Sequence, residues 1–146
     1  MNELPQEESF SKATGFITLS FRYFDRNQIA GQDFKDWTDK ERIDLLNKFQ
    51  EYTSNTKKFW LNQRCGAGSL KILAVYESFR VNTDFTYPDF VPKEGIKWAR
   101  FRLNQKVRII GFFVDEETAK IYDLSVDTFY LVFLDKNHCF YKMEDE

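Results

Sequence analysis

The sequence predicts an α+β fold: an N-terminal strand, a helical hairpin, and then a three- to four-stranded antiparallel meander. Three observations predict it. Between Gly15 and Asp25, Ile17, Leu19, Phe21 and Tyr23 alternate with Thr18, Ser20 and Arg22, the period-two pattern of a strand with one buried face. Thr38-Asp39-Lys40-Glu41 has the spacing of a helix capping box, and Ile43, Leu46, Phe49 and Tyr52 follow at near-helical intervals with Leu45 beside them. From Ile96 to Tyr141 the chain reads as successive strands divided by short turn sequences.

Within that last stretch, Lys97-Trp98-Ala99-Arg100-Phe101-Arg102-Leu103 puts Trp98, Arg100 and Arg102 on one face of a strand and Ala99, Phe101 and Leu103 on the other. Asn104-Gln105 is a two-residue connection, because Asn tolerates positive φ. The return strand runs from Lys106 to Val114. Phe129 to Leu134 is apolar at both parities, as a central strand covered on both faces requires. Asp135-Lys136-Asn137 has turn chemistry, so His138-Cys139-Phe140-Tyr141 is expected back alongside as an edge strand.

Taken in order, residues 1–14 form a polar, acidic stretch expected to be a flexible tail, and 15–143 a single domain. Ser54 or Thr56 caps a second helix through Lys57-Lys58-Phe59-Trp60-Leu61. Arg64-Cys65-Gly66-Ala67-Gly68-Ser69 is a break without the surroundings of a phosphate loop. Leu70 to Val81 fits a strand or a short helix equally well. Phe85 to Pro92 is an extended aromatic loop stiffened by prolines, and Asp115 to Asp127 is a polar insertion.

Composition narrows the function classes. The 146 residues include 16 Phe, 7 Tyr and 3 Trp, and such an aromatic load builds a large core in a small domain. No run approaches the ~20 apolar residues of a membrane span. Two cysteines and one histidine give neither a disulfide framework nor a zinc set, which points to a reduced cytoplasmic setting with no metal and no cofactor. Net charge is −2, yet between Lys93 and Arg108 six basic residues stand against one acid. Such a segregated field presents a basic face to phosphate or pairs with the acids elsewhere in the chain.

The residues able to do chemistry collect on the meander. Metal-free RNA cleavage needs a proton-transfer group and cations for the charged phosphorane. As a histidine His138 can serve as acid or base, Arg108 has the planar fork that fits phosphate, and Tyr141 can donate a hydrogen bond or stack on a base; these are the catalytic candidates. Arg100, Arg102 and Lys106 are the RNA-binding candidates, and Asp135 can orient the imidazole. Each has a plain alternative. Arg108 ends an apolar row of Ile110, Phe112 and Val114, where burial demands a partner, so a structural ion pair is the competing reading. Cys139 and His138 are strand neighbours pointing to opposite faces, which makes a nucleophile–base pair a poor expectation. Phe85, Tyr87 and Phe90 on the stiffened loop are natural anchors for a protein partner.

Two resemblances attach to these residues. Leu19-Ser20-Phe21-Arg22-Tyr23-Phe24-Asp25, Arg108-Ile109-Ile110-Gly111-Phe112, Phe129 to Asp135 and His138-Cys139-Phe140-Tyr141 are similar to a set of uncharacterised bacterial and phage proteins. Those proteins end in an Arg-aliphatic-His-Gly-Phe strand, a Phe-Tyr-x-Val-x-Leu-Asp strand and a His-x-Leu-Tyr end; here Ile110 stands in place of the histidine of that first strand. The order of strand, helical hairpin and basic meander also resembles the RelE/ParE toxin superfamily. In its ribonuclease members the resemblance implies ribosome-dependent mRNA cleavage, neutralised by an antitoxin. Arg108 would then stabilise the phosphate, His138 serve as acid or base, Tyr141 assist, and Arg102 and Lys106 bind RNA. The chain is longer and more acidic than typical members. Three functions follow as expectations: a RelE-like endoribonuclease toxin of bacterial or phage conflict, a non-catalytic protein-interaction module of such a system, and a plain nucleic-acid binder whose affinity falls with salt.

Overall fold

The computed structural model describes residues 15–65 and 70–141. The tail expected over 1–14, the Gly66-Ala67-Gly68 break and the acidic end beyond Tyr141 lie outside them. The fold is α+β, with an N-terminal strand, a helical region and antiparallel strands within a mixed sheet.

Strand β1 spans only Thr18–Ser20. It stops there because the Ser20 hydroxyl accepts the Arg22 amide at 3.1 Å and Phe24 N–H folds back to the Phe21 carbonyl at 3.0 Å. A local side-chain turn has displaced the ladder. Helix α1, Asp39–Tyr52, begins at the expected box: Thr38 Oγ1 accepts the Glu41 amide at 3.1 Å and Glu41 Oε1 accepts the Thr38 amide at 2.8 Å. Its buried stripe is Leu45, Phe49 and Tyr52, whereas Ile43 and Leu46, expected inside, are exposed. Tyr52 fixes this rotation. Its ring stacks on Phe101 with centroids 4.0 Å apart, and its hydroxyl donates to the Arg102 carbonyl at 3.0 Å. Thr56 caps α2, Lys57–Leu61, and Trp60 donates from its indole to the Tyr52 carbonyl at 2.9 Å, which ties the two helices together.

The ambiguous stretch is extended. β2 (Arg64–Cys65) pairs with β3 (Leu70–Lys71), and β4 (Leu73–Val75) lies against β5 (Ile96–Asn104). β5 turns through Gln105-Lys106, one residue later than expected, after a register shift between Arg102 and Asn104. β6 is Val107–Val114 and β7 is Thr128–Asp135. Between them the polar insertion holds helix α3, Glu116–Tyr122, whose N-cap Asp115 accepts the Thr118 amide at 2.7 Å. The sheet order is β1-β7-β6-β5-β4, and β1 runs parallel to β7. The edge place expected for residues 138–141 is therefore taken by β1.

Both faces of the sheet are covered. Leu45, Phe49, Tyr52 and Trp60 of the helices bury Phe101, Ile109, Phe129 and Leu131. On the other face Trp98, Ile110, Phe112 and Phe133 lie beneath Phe85, Val91 and Phe140. The central-strand expectation for Phe129 to Leu134 follows from this double cover. Among the described residues no helix is long and apolar enough to cross a membrane.

Candidate functional site

The strand register brings the basic candidates onto one face at one end of the sheet. Arg102 lies opposite Arg108 across β5 and β6, and Arg108 lies opposite Asp135 across β6 and β7. Directly opposed residues of an antiparallel pair point to the same face. A row of two cations and one carboxylate therefore crosses the sheet beside the row of Arg100, Ile110 and Phe133.

Two of the three, Arg108 and Asp135, are interior. Arg108 is 3% exposed, and its Nη1 donates to the carbonyls of Asn104 at 3.0 Å, Gln105 at 2.7 Å and Val107 at 3.1 Å. The guanidinium thus closes the β5–β6 turn from inside. Asp135 is 0% exposed; its carboxylate accepts the Cys139 amide at 2.8 and 3.0 Å and the Phe140 amide at 2.9 Å. Burial pushes this carboxyl above the usual range, while those two amides, His138 and Arg108 pull it back down. The same bonds explain why residues 138–141 form no edge strand. Amides 139 and 140 are taken by a side chain, and His138 sits at φ 61, outside strand geometry.

Arg100, expected to bind RNA, is 1% exposed and donates from Nη1 to the carbonyls of Lys71 at 2.9 Å and Ile72 at 3.0 Å. Arg102 is half-buried and reaches the same Lys71 carbonyl from Nε at 3.0 Å. Together they pin the kink between β3 and β4. Lys106 is exposed in the turn. Of the catalytic candidates, Arg108 lies directly opposite Asp135 across the ladder, and His138 follows in the turn with a positive charge that, like that of Arg108, favours the ionised Asp135 carboxyl. Tyr141 is engaged elsewhere: the Arg80 guanidinium lies 3.9 Å from its ring centre and Tyr76 meets it edge-on at 5.5 Å. The partner anchors are corrected too. Phe85 is 4% exposed and stacks on Phe133 at 4.4 Å, and half-buried Tyr87 donates to the Pro92 carbonyl; Phe90 alone of the three is well exposed. Two prolines stiffen this loop, but it lies flat as the lid of the second sheet face.

A different surface remains open. Phe21, Phe24 and Phe34 meet Leu45, Leu46 and Phe49 of α1 around a groove of about 590 Å³. Phe34 receives Phe21 edge-on at 5.6 Å and Phe24 at 4.7 Å, so the rings brace one another. Phe21 is 50% and Leu46 62% exposed. The remaining lining residues are Arg22, Arg26 and Arg42, and no carboxylate lines the groove. Arg42 is held by the carbonyls of Phe34 and Trp37 and by Asp39, and Arg26 Nε lies 3.4 Å from Asp33. The Arg22 guanidinium lies 5.3 Å from the Tyr23 ring centre. Sequence reading missed this groove by assigning Phe21 to a long strand and Leu46 to the buried stripe. The signal available was weak: Leu45 and Leu46 are adjacent, and the stripe through Leu45, Phe49 and Tyr52 leaves Leu46 about 100° to one side. No family model, curated protein or solved structure matches this chain.

Proposed function

We propose that this chain is a non-catalytic protein-interaction module, a RelE-like frame serving a bacterial or phage conflict system, and that it holds a protein partner in the groove between the β1 turn and α1. The observation that carries this reading is the groove itself. A braced aromatic floor with half-exposed Phe21 and Leu46 is the kind of anchor pocket on which interface energy concentrates. Its three arginines and lack of acids favour a partner segment with apolar anchors flanked by Asp or Glu. The order of strand, helix pair and antiparallel strands supports the RelE-like frame. Burial of Arg100 and Arg108, at 1% and 3% exposure with backbone carbonyls taking their Nη1 groups, weighs against RNA as the ligand.

The test pairs capture with variants. The full chain is expected to hold one protein at one-to-one stoichiometry, and Leu46→Asp to abolish capture while leaving the melting temperature within ~2 °C, since exposed substitutions usually shift stability by under ~0.5 kcal/mol. Capture that survives Leu46→Asp and Phe21→Ala overturns the assignment of the groove. The ribonuclease reading keeps one favourable observation, the register that lines up Arg102, Arg108 and Asp135 across the sheet three residues before His138. Cleavage of RNA by the pure protein, with or without ribosomes, that is lost in His138→Ala would replace the module reading with it.

A further inference from the structure

A second cavity, of about 580 Å³, opens on the helix-side face where α2 approaches the ends of β4, β5 and β6. Its apolar surface comes from Leu61, Val75, Ile96 and Phe113, and its volume falls in the range of small-ligand sites. Lys57 lines it, with the ammonium 4.4 Å from the centre of the Phe113 ring. Among the described residues this ammonium donates one hydrogen bond, to the Val126 carbonyl at 3.2 Å, and has no carboxylate within ion-pair distance. Other lysines of the chain do have one: Lys40 with Asp44, Lys48 with Glu51, Lys97 with Glu77 and Lys136 with Glu41. The two acids that line the cavity are engaged. Glu77 lies 3.4 Å from Lys97, and Asp115 caps α3.

We propose that this cavity binds a small amphipathic anion, a carboxylate carried on an aromatic or aliphatic body. The body would lie over Phe113, Val75 and Leu61, and the carboxylate would take the remaining N–H groups of Lys57. A partly buried cation without a carboxylate partner is unfavourable, and a ligand anion relieves that state. The lysine itself reports it, since burial holds its amine below the usual lysine range against the pull of Asp127. The inference is independent of the groove and of the partner proposed for it.

Calorimetric titration of the full chain with naphthoate, octanoate, naphthalenemethanol and naphthylmethylamine tests it. Naphthoate and octanoate are expected to bind, and naphthoate to bind roughly tenfold tighter than the neutral alcohol, as one charge-assisted bond allows. The amine is expected not to bind. Lys57→Met should erase the preference for the anion, and Lys57→Arg should retain it. Val75→Phe, which adds bulk to the cavity wall and leaves Lys57 in place, should weaken every probe. The unliganded Lys57→Met protein should melt no lower than the wild type at neutral pH, because a depressed lysine destabilises the fold below its folded value and the methionine lacks that term. Absence of binding at millimolar probe, equal affinity for naphthoate and the alcohol, or naphthoate affinity unchanged in Lys57→Met would each overturn the proposal.

Discussion

Asp135→Ala is expected to remove most of the stability of the fold, about 3–5 kcal/mol, lowering the melting temperature by roughly 10 °C or more. The wild-type carboxylate has no exposure and receives the Cys139 and Phe140 amides, with the buried Arg108 directly opposite. Alanine leaves one buried and one part-buried donor without that acceptor and a guanidinium without that counter-charge. Each loss is more expensive than the intact contact is favourable, because desolvation is no longer repaid. The segment from His138 to Tyr141 is held down by these bonds, so Phe140, which closes the second sheet face, is expected to loosen with them. Arg108→Met in the same chain should recover part of the loss, since removing both charges is milder than removing one. Thermal melts of the two single variants and the double variant measure the coupling. Additive effects would show that the two groups do not act as a pair.

The same residue carries a pH signature. Asp135 is raised above its ordinary value of 3.8 chiefly by burial, so the folded chain holds this proton more tightly than the unfolded one. A contribution of that sign is fully present below 3.8 and is lost as pH rises through the folded value. Asp135→Asn has no such group. The stability of the wild type minus that of Asp135→Asn is expected to shrink as pH is raised from ~3 across that window. Denaturant melts at matched pH values measure it, and a difference that widens with pH would contradict the upward shift.

How much of this was legible in the sequence divides by the range of the interaction. The Thr38–Glu41 box and the Thr56 cap were readable because all their atoms lie within four residues. The parity of Arg108 with Ile110, Phe112 and Val114 was readable, and so was its need for a partner, because strand alternation is local. That the carboxylate opposite would be Asp135 depended on pairing β6 with β7 across a register shift, which no local pattern encodes. The edge expectation for residues 138–141 failed for a related reason. Period-two patterning says which face a side chain takes, but not whether a side-chain carboxylate will claim the backbone amides first. Helix α3 was hidden because Thr118 is its one buried residue, so it carries no apolar stripe, although Asp115 before Glu116-Glu117 was a cap in plain sight. The stretch from Phe85 to Pro92 is a loop, as expected, but it is not extended throughout: Val91 N–H donates to the Pro88 carbonyl at 3.2 Å and closes a turn at Asp89-Phe90. Whether aromatic rings project or lie inward is decided by the sheet face beneath them, which here they cover together with Phe140.

Gly111→Ala should be nearly as damaging, at about 3 kcal/mol or more, and it tests the packing of the sheet rather than its charges. Gly111 lies in β6 between Ala99 of β5 and Leu131 of β7, where the register with β7 slips after Ile110. The slip leaves Val132 as the extra residue of β7, and its carbonyl accepts the Asp25 amide at 2.9 Å, joining the loop after β1 to the sheet. It also brings the Tyr130 carbonyl over Gly111. A methyl group there would overlap the Tyr130 carbonyl oxygen outright and lie 2.8 Å from Phe129 Cζ and 2.9 Å from the Tyr130 carbonyl carbon. The backbone of Gly111 is not in the positive-φ region, unlike that of Gly15 and Gly95, so the objection to alanine is steric and not conformational. Two of these three contacts are with backbone, and a central strand held by neighbours on both sides cannot shift without breaking one ladder. Shortening the ring should therefore fail to help: Gly111→Ala with Phe129→Leu is expected to melt no higher than Gly111→Ala alone. If Gly111→Ala melts within ~3 °C of the wild type, or if the leucine restores it, the close approach of β7 to β6 is softer than these distances require.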